Sequence, residues 1–247
     1  MATLPRIVVV GGHGKVALHF ARLASPAYAV TSLVRSQDHF DDIRSTGATP
    51  KLLSLEDASV DQLSQAFEGA HGVLFSAGAG GKGGKERTKK VDEDGAIKVF
   101  DAIDQLQGGK PKLILVGALD TRDMSKPPPS HYTKEDVERS QKAHAAIGAY
   151  YDAKLAAARN LHQRTSFPWT ELRPGLLTDD KGTGRVALGK TGMGDVSREN
   201  VAAVLLALFN QPASAANGLA LDLIEGSMPV EQAVKEAVEK GESDFLD

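Results

Sequence analysis

The chain has 247 residues, no cysteine, 29 basic against 32 acidic residues and a formal net charge of −3. That composition excludes a disulfide framework, a thiolate metal site and a cysteine nucleophile, and it argues against nucleic-acid binding through bulk positive charge. No apolar run approaches the roughly 20 residues of a membrane span. A strand-like run begins at Arg6 and leaves no space for a signal peptide, so a reducing, cytoplasmic setting is expected.

Residues 7–10 (Ile-Val-Val-Val) are continuous and β-branched, as in a strand buried on both faces. Further strands are expected at 30–34, 51–54, 72–75, 113–116 and 169–172. Helical patterning fills the intervals at 15–24, 40–45, 60–67, 91–105 and 135–163. Strands alternating with helices of this size imply right-handed crossovers and a doubly wound α/β fold with a parallel sheet. After Pro174 the rhythm changes. Residues 174–196, rich in Gly, Thr, Lys and Asp, are expected to form a long loop. Ser197 then caps a helix at 201–209, followed by a short strand at 219–223 and a helix at 230–238. This tail is short for an independent domain, so residues 1–247 read as one nucleotide-binding domain and 174–247 as a small substrate-side lobe within it. Loops at 78–90 and 121–133 fall at the carboxyl ends of strands, where ligands of open α/β sheets bind.

The most informative segment, Val10-Gly11-Gly12-His13-Gly14-Lys15-Val16-Ala17, lies between the first strand and the first helix. Gly11 allows a tight turn, Gly14 lets the backbone approach a pyrophosphate, and Ala17 permits close helix–strand packing. The helix start then holds phosphate with its free amides. Selection for NAD usually places an acid about 20 residues further on. Here the second strand ends in Val34-Arg35-Ser36 with no carboxylate before Asp38. A guanidinium at Arg35, with the Ser36 hydroxyl beside it, suits a 2′-phosphate, so NADP(H) is expected in preference to NAD(H).

In this order and spacing, Gly11-x-x-Gly14-x-x-Ala17, Leu33-Val34-Arg35 and Leu172-Arg173-Pro174-Gly175 resemble the atypical short-chain dehydrogenase/reductases. Within that group the chain is similar to small NAD(P)H-binding proteins of the NmrA-like and biliverdin IXβ (flavin) reductase-like kinds, over most of its length from Arg6 to Asp222. The resemblance implies a Rossmann core with strand order 3-2-1-4-5-6. It implies that Gly11, His13, Gly14, Lys15 and Val16 form the dinucleotide turn and that Arg35 meets the adenosine phosphate. Ser54 and Leu55 would lie near the adenine, with Ser54 where relatives often carry Asp. Ser76, Ala77 and Gly78 would line the nicotinamide ribose, and Pro174, Gly175 and Leu176 would border the nicotinamide.

The Tyr-x-x-x-Lys motif of these proteins has a match in Tyr150 and Lys154, on one helix face at i and i+4. In typical members the Tyr delivers a proton as hydride arrives, while the Lys holds the ribose and lowers the phenol's pKa from about 10. Tyr151 is also within reach, so either phenol can serve. A departure comes at strand five, which reads Val116-Gly117-Ala118 where typical members carry a hydroxyl. Losing such a donor costs roughly 3–4 kcal/mol of transition-state stabilisation, and Thr121 is the nearby candidate to replace it.

The seven histidines (13, 19, 39, 71, 131, 144 and 162) show no metal-ligand spacing, so no metal is expected. The basic run Lys82, Lys85, Arg87, Lys89 and Lys90 reads as a solvated loop and helix start, with Asp92-Glu93-Asp94 suiting the helix dipole. The expected function is NADPH-dependent reduction of a small carbonyl, quinone or flavin-like acceptor. The alternatives are an NADP(H)-binding sensor without turnover, as NmrA-like proteins are, and an epimerase or dehydratase. Partners are expected to be small molecules, with neither nucleic acid nor membrane, and the chain a monomer or weak homodimer.

Overall fold

The structure is a computed structural model that describes residues 3–80 and 84–245. β1 (Arg6–Val10) leads through α1 (Lys15–Ala24) to β2 (Ala29–Val34). A single 3-10 turn (Gln37–His39) runs into the short α2 (Phe40–Arg44), then β3 (Thr49–Leu52), α3 (Val60–Phe67) and β4 (Gly72–Phe75). α4 (Gly84–Thr88), a π-helical stretch (Lys89–Asp94) and α5 (Gly95–Asp104) follow one another without a break before β5 (Lys112–Val116). α6 (Lys134–His162) precedes β6 (Trp169–Pro174). Beyond it come β7 (Leu176–Thr178), β8 (Arg185–Gly189), β9 (Asp195–Ser197), α7 (Arg198–Asn210), β10 (Leu219–Glu225), β11 (Met228–Pro229) and α8 (Val230–Lys240).

Nine of these strands form one mostly parallel sheet in the order β11-β8-β10-β6-β5-β4-β1-β2-β3, flanked by helices: a Rossmann-like α/β fold. The first six strands take the expected order 3-2-1-4-5-6, and β8 joins antiparallel to β10 and β11. β1 shows why the sheet is buried on both sides. Its side chains alternate across the pleat, Ile7 and Val9 into the layer with Phe20, Leu205 and Phe209, Val8 and Val10 into the layer with Phe67, Phe75 and Phe100. All of these are essentially inaccessible to solvent, and each large apolar side chain so buried contributes about 1.5–3 kcal/mol.

Three expectations are corrected. The expected loop at 174–196 contains β7, β8 and β9, which pair with each other or with β10 and β11 rather than with sequence neighbours. Within the described part of 78–90 the chain is already helical from Gly84. β3 starts and ends two residues earlier than expected, because it is an edge strand with mostly exposed side chains and its hydrophobic pattern is weak. α6 is capped at Thr133, whose side chain accepts from the Asp136 amide while Asp136 accepts in return from the Thr133 amide. It breaks at Ile147 (φ −132°, ψ 37°), beside Gly148; Ala157 and Leu161 of its second half pack in the layer with Phe100 and Leu113.

Candidate active site

The turn after β1 is built from close backbone approaches. Gly11 has φ +81°, and a Cβ there would lie 2.6 Å from the Cα of Ala77. Gly14 is the N-cap of α1, with extended backbone, and neither a side-chain cap nor an acid in the first turn satisfies the helix start. The leading amides and the positive end of the helix therefore favour an anion. A cleft runs along this edge in two joined parts, of about 250 and about 640 Å³, sharing Gly14, Ser76, Ala77 and Gly78 as common walls.

The smaller part is walled by Gly11, His13, Arg35, Ser54, Leu55 and Glu56, among others. His13 stacks on His39 with ring centroids 3.8 Å apart, and its Nε2 lies 2.7 Å from Asp42. Burial first, then the neighbouring His13 and Arg35, hold His39 below its ordinary pKa. Arg35, more than half exposed, reaches to 3.5 Å from Glu56 Oε1. Ser36 bonds within its own turn. Its hydroxyl accepts from the Asp38 amide at 3.3 Å and donates to the Asp38 carboxylate at 3.0 Å, capping the 3-10 turn, and it is absent from the cleft walls.

The larger part brings together Lys15, Val16, Tyr150, Tyr151, Lys154, Pro174, Gly175 and Leu176. The Lys15 ammonium pairs with Asp179, which also holds Arg198 at 2.7 Å. The backbone at Gly175 passes so close to β9 that a Cβ would lie 2.1 Å from the carbonyl oxygen of Gly194. Lys154 is buried (5% exposed). Its Nζ lies 3.1 Å from Asp92 Oδ1, donates to the Val116 carbonyl at 3.2 Å and sits 5.6 Å from the Tyr150 ring centroid. Burial pulls its pKa down, but Tyr150 and Asp92 outweigh it and hold Lys154 above the ordinary value, as a cation. The other Asp92 oxygen accepts from the Ala79 amide at 2.9 Å, tying the loop after β4 to the same pair. Tyr151 stacks on His144 at 3.9 Å, and burial, with Asp120 and Tyr150, pushes its phenol up to about 12.

Thr121 is fully buried, donates to the Ala118 carbonyl at 2.7 Å and is not among the residues that line the cleft. Gly117 and Ala118 themselves form part of the floor.

The NAD(P)H-binding family profile matches residues 11–212, which take in the glycine turn, Arg35 and the Tyr150–Lys154 helix. The chain belongs to this NAD(P)H-binding family. It is 45% identical to the UPF0659 protein C216.03 of Schizosaccharomyces pombe, over 96% of this chain and 97% of the relative. It is 28% identical to the uncharacterized sugar epimerase YhfK of Bacillus subtilis, over 93% and 99% of the two chains. Among solved structures, a short-chain dehydrogenase/reductase of Veillonella parvula in complex with NADP superposes with a TM-score of 0.67 at 17% identity, covering 92% of this chain and 98% of that one.

For an NAD(P)H-binding chain the cleft residues fit the cofactor class. The helix start is uncapped, a Cβ at Gly14 would project into the shared wall meeting only carbonyl oxygens at 3.3 and 3.5 Å, and the two parts of the cleft meet at that turn. Two residues of this neighbourhood escape sequence reasoning. Asp92 resembles a first-turn acid suited to a helix dipole, yet it is 1% exposed and sits on the π-helical stretch that turns it inward. Glu171 is fully buried on β6 behind Gly117. The sequence signal is a pair of charges, Glu171 and Arg173, inside one strand of the sheet.

Proposed function

We propose that the protein is an NADPH-dependent oxidoreductase that reduces a small carbonyl, quinone or flavin-like acceptor. One observation carries this reading: Tyr150 and a charged, Asp92-anchored Lys154 stand in the same cleft as the uncapped start of α1. When bound, the dinucleotide supplies the hydride. The amides from Gly11 to Val16 hold its pyrophosphate, Arg35 its 2′-phosphate, Ser76–Gly78 and Lys154 its nicotinamide ribose, and Pro174–Leu176 lie along the nicotinamide. Ser54 and Leu55 border the adenine. The solved NADP complex of a structurally similar dehydrogenase/reductase supports the choice of cofactor.

Tyr150 delivers the proton to the acceptor oxygen, with Lys154 close enough to stabilise the phenolate that remains. Tyr151, whose pKa burial pushes up to about 12, is the weaker acid and is left out of the proton-transfer step. Gly117 and Ala118 put nothing larger than a methyl group into this part of the cleft, which suits a planar acceptor that needs stacking beside the nicotinamide more than a strand-five hydroxyl. We further propose a cytoplasmic protein, monomeric or weakly dimeric, whose partners are small molecules.

The test is NADPH oxidation with a panel of quinones, flavins and small carbonyls, in wild type, Tyr150→Phe and Lys154→Ala. The expected result is turnover that falls by about 10²-fold or more in Tyr150→Phe with nucleotide affinity retained. Undiminished turnover in Tyr150→Phe contradicts the role given to this phenol. The lack of a strand-five hydroxyl favours a second reading, an NADP(H)-binding sensor. Tight NADPH binding with no turnover on any acceptor supports that one instead.

A further inference from the structure

The adenosine end of the cleft contains a carboxylate where an anionic ligand is expected. Glu56, in the loop after β3, places Oε1 3.5 Å from Arg35 Nη1 and 3.3 Å from Arg87 Nη2, and Oε2 3.8 Å from Lys90 Nζ. The three cations come from three places in the chain: the end of β2, α4 and the π-helical stretch. Arg35, Glu56 and Arg87 all wall the smaller part of the cleft, and the Glu56 side chain is only 22% exposed. Glu56 is thus the one carboxylate that these three ion pairs share.

We propose that Glu56 is an internal counter-anion standing in for the 2′-phosphate, and that with Arg87 it sets how strongly the site prefers NADPH over NADH. The proposal rests on the reading of the cleft as a dinucleotide site. A 2′-phosphate carries close to two negative charges and offers the oxygens that guanidinium forks grip in pairs. It can take those forks only by displacing the Glu56 carboxylate from Arg35 and Arg87. That exchange costs NADPH part of its affinity. With NADH there is no phosphate to displace Glu56, and its carboxylate is free to accept from the ribose hydroxyls, as acids do in NAD-selecting sites. The one side chain thus works against NADPH and in favour of NADH, which leaves the site less selective than Arg35 alone would make it.

Binding alone tests this, without a known acceptor. NADPH and NADH are titrated into wild type, Glu56→Gln and Arg87→Gln by nicotinamide fluorescence, with adenosine 2′,5′-bisphosphate, adenosine 5′-phosphate and inorganic phosphate as competitors and thermal melting as the folding control. Glu56→Gln is expected to tighten NADPH by about threefold and to leave NADH unchanged or weaker. Arg87→Gln is expected to weaken NADPH and the 2′,5′-bisphosphate by roughly tenfold, with NADH and the 5′-phosphate unmoved. Competition by inorganic phosphate as strong as by the 2′,5′-bisphosphate would assign the cluster to free phosphate and overturn the proposal. So would Glu56→Gln changing both dinucleotides equally, or neither. If wild type binds neither dinucleotide, the functional reading itself fails and this proposal fails with it. If wild type prefers NADPH and both variants match it, this proposal alone fails.

Discussion

Glu171 occupies the space that a side chain at Gly117 would need: a Cβ on Gly117 would lie 2.4 Å from Glu171 Oε1. A side chain at Gly117 would therefore require the buried Glu171 side chain to shift. β5 and β6 are paired neighbours, and the buried Glu171, whose carboxylate has His162 Nε2 at 3.5 Å, fills the gap between them and α6. Gly117→Ala is expected to destabilise the wild type by about 1–3 kcal/mol, measured by denaturant unfolding. In a Glu171→Ala background the same substitution should cost much less. Equal costs in the two backgrounds would show that the two sites are not coupled.

Lys154 and Asp92 form a pair that is 5% and 1% exposed. Removing one partner of a buried pair leaves an uncompensated charge, so Asp92→Ala should lose roughly 3–5 kcal/mol of stability. The lysine's pKa is raised in the fold, so its contribution is complete below the ordinary lysine pKa and is lost as pH rises through the folded value. In the wild type, stability should show no Lys154 titration near neutral pH. In Asp92→Ala one of the groups that oppose burial is gone, so the Lys154 pKa should fall, and the alkaline limb of any pH–activity profile that depends on Lys154 should move to lower pH.

Lys112 behaves in the opposite sense. It is 2% exposed, its ammonium donates to the Leu208 carbonyl near the end of α7, and burial lowers its pKa to about 8. The folded state sheds this proton before the unfolded state does. Stability should therefore rise as pH climbs from about 8 toward the ordinary lysine value, by as much as about 3 kcal/mol. Lys112→Met should remove that rise. The difference between the two proteins' unfolding free energies across this range measures it directly.

Arg173 is buried between two carboxylates, with Nε 2.7 Å from Asp222 and Nη2 3.2 Å from Asp244. Burial raises the Asp222 pKa well above the ordinary value, with Asp244 adding to the rise and Arg173 opposing it. A raised carboxyl pKa contributes stability at low pH and loses it as pH rises through the folded value. Asp222→Asn should remove that pH dependence, whereas Arg173→Met, which leaves both carboxyl groups buried without their cation, should cost roughly 3–5 kcal/mol. Thermal melting of both variants checks this.

The parallel sheet was legible because β1, β4 and β5 are buried on both faces and read as apolar runs, while its strand order came only from the family resemblance. The glycine turn was legible because its constraints are local: Gly11 needs positive φ, and Gly14 opens a helix. β7, β8 and β9 were not legible. They are three to five residues long and draw their stability from β10, β11 and one another, partners that no local pattern reveals. Ser36 and Thr121 looked available to a ligand because a hydroxyl's local partner, the Asp38 amide or the Ala118 carbonyl, depends on backbone conformation. Asp92 and Glu171 required tertiary partners from α6 to have any role at all.

The central claim, that the α1 start holds the dinucleotide phosphates, is tested most directly by titrating NADPH into wild type and Gly14→Asp. Trp169 lies at the first residue of β6, at the edge of the sheet away from the cleft, so nicotinamide fluorescence is the better signal. Gly14 has φ −62° and ψ 147°, a conformation open to any residue, and Asp is a favoured N-cap that satisfies helix amides. The variant should melt at or near the wild-type temperature and lose NADPH binding, because its carboxylate fills and repels the anion site. NADPH binding of wild-type strength by a folded Gly14→Asp protein would contradict the account.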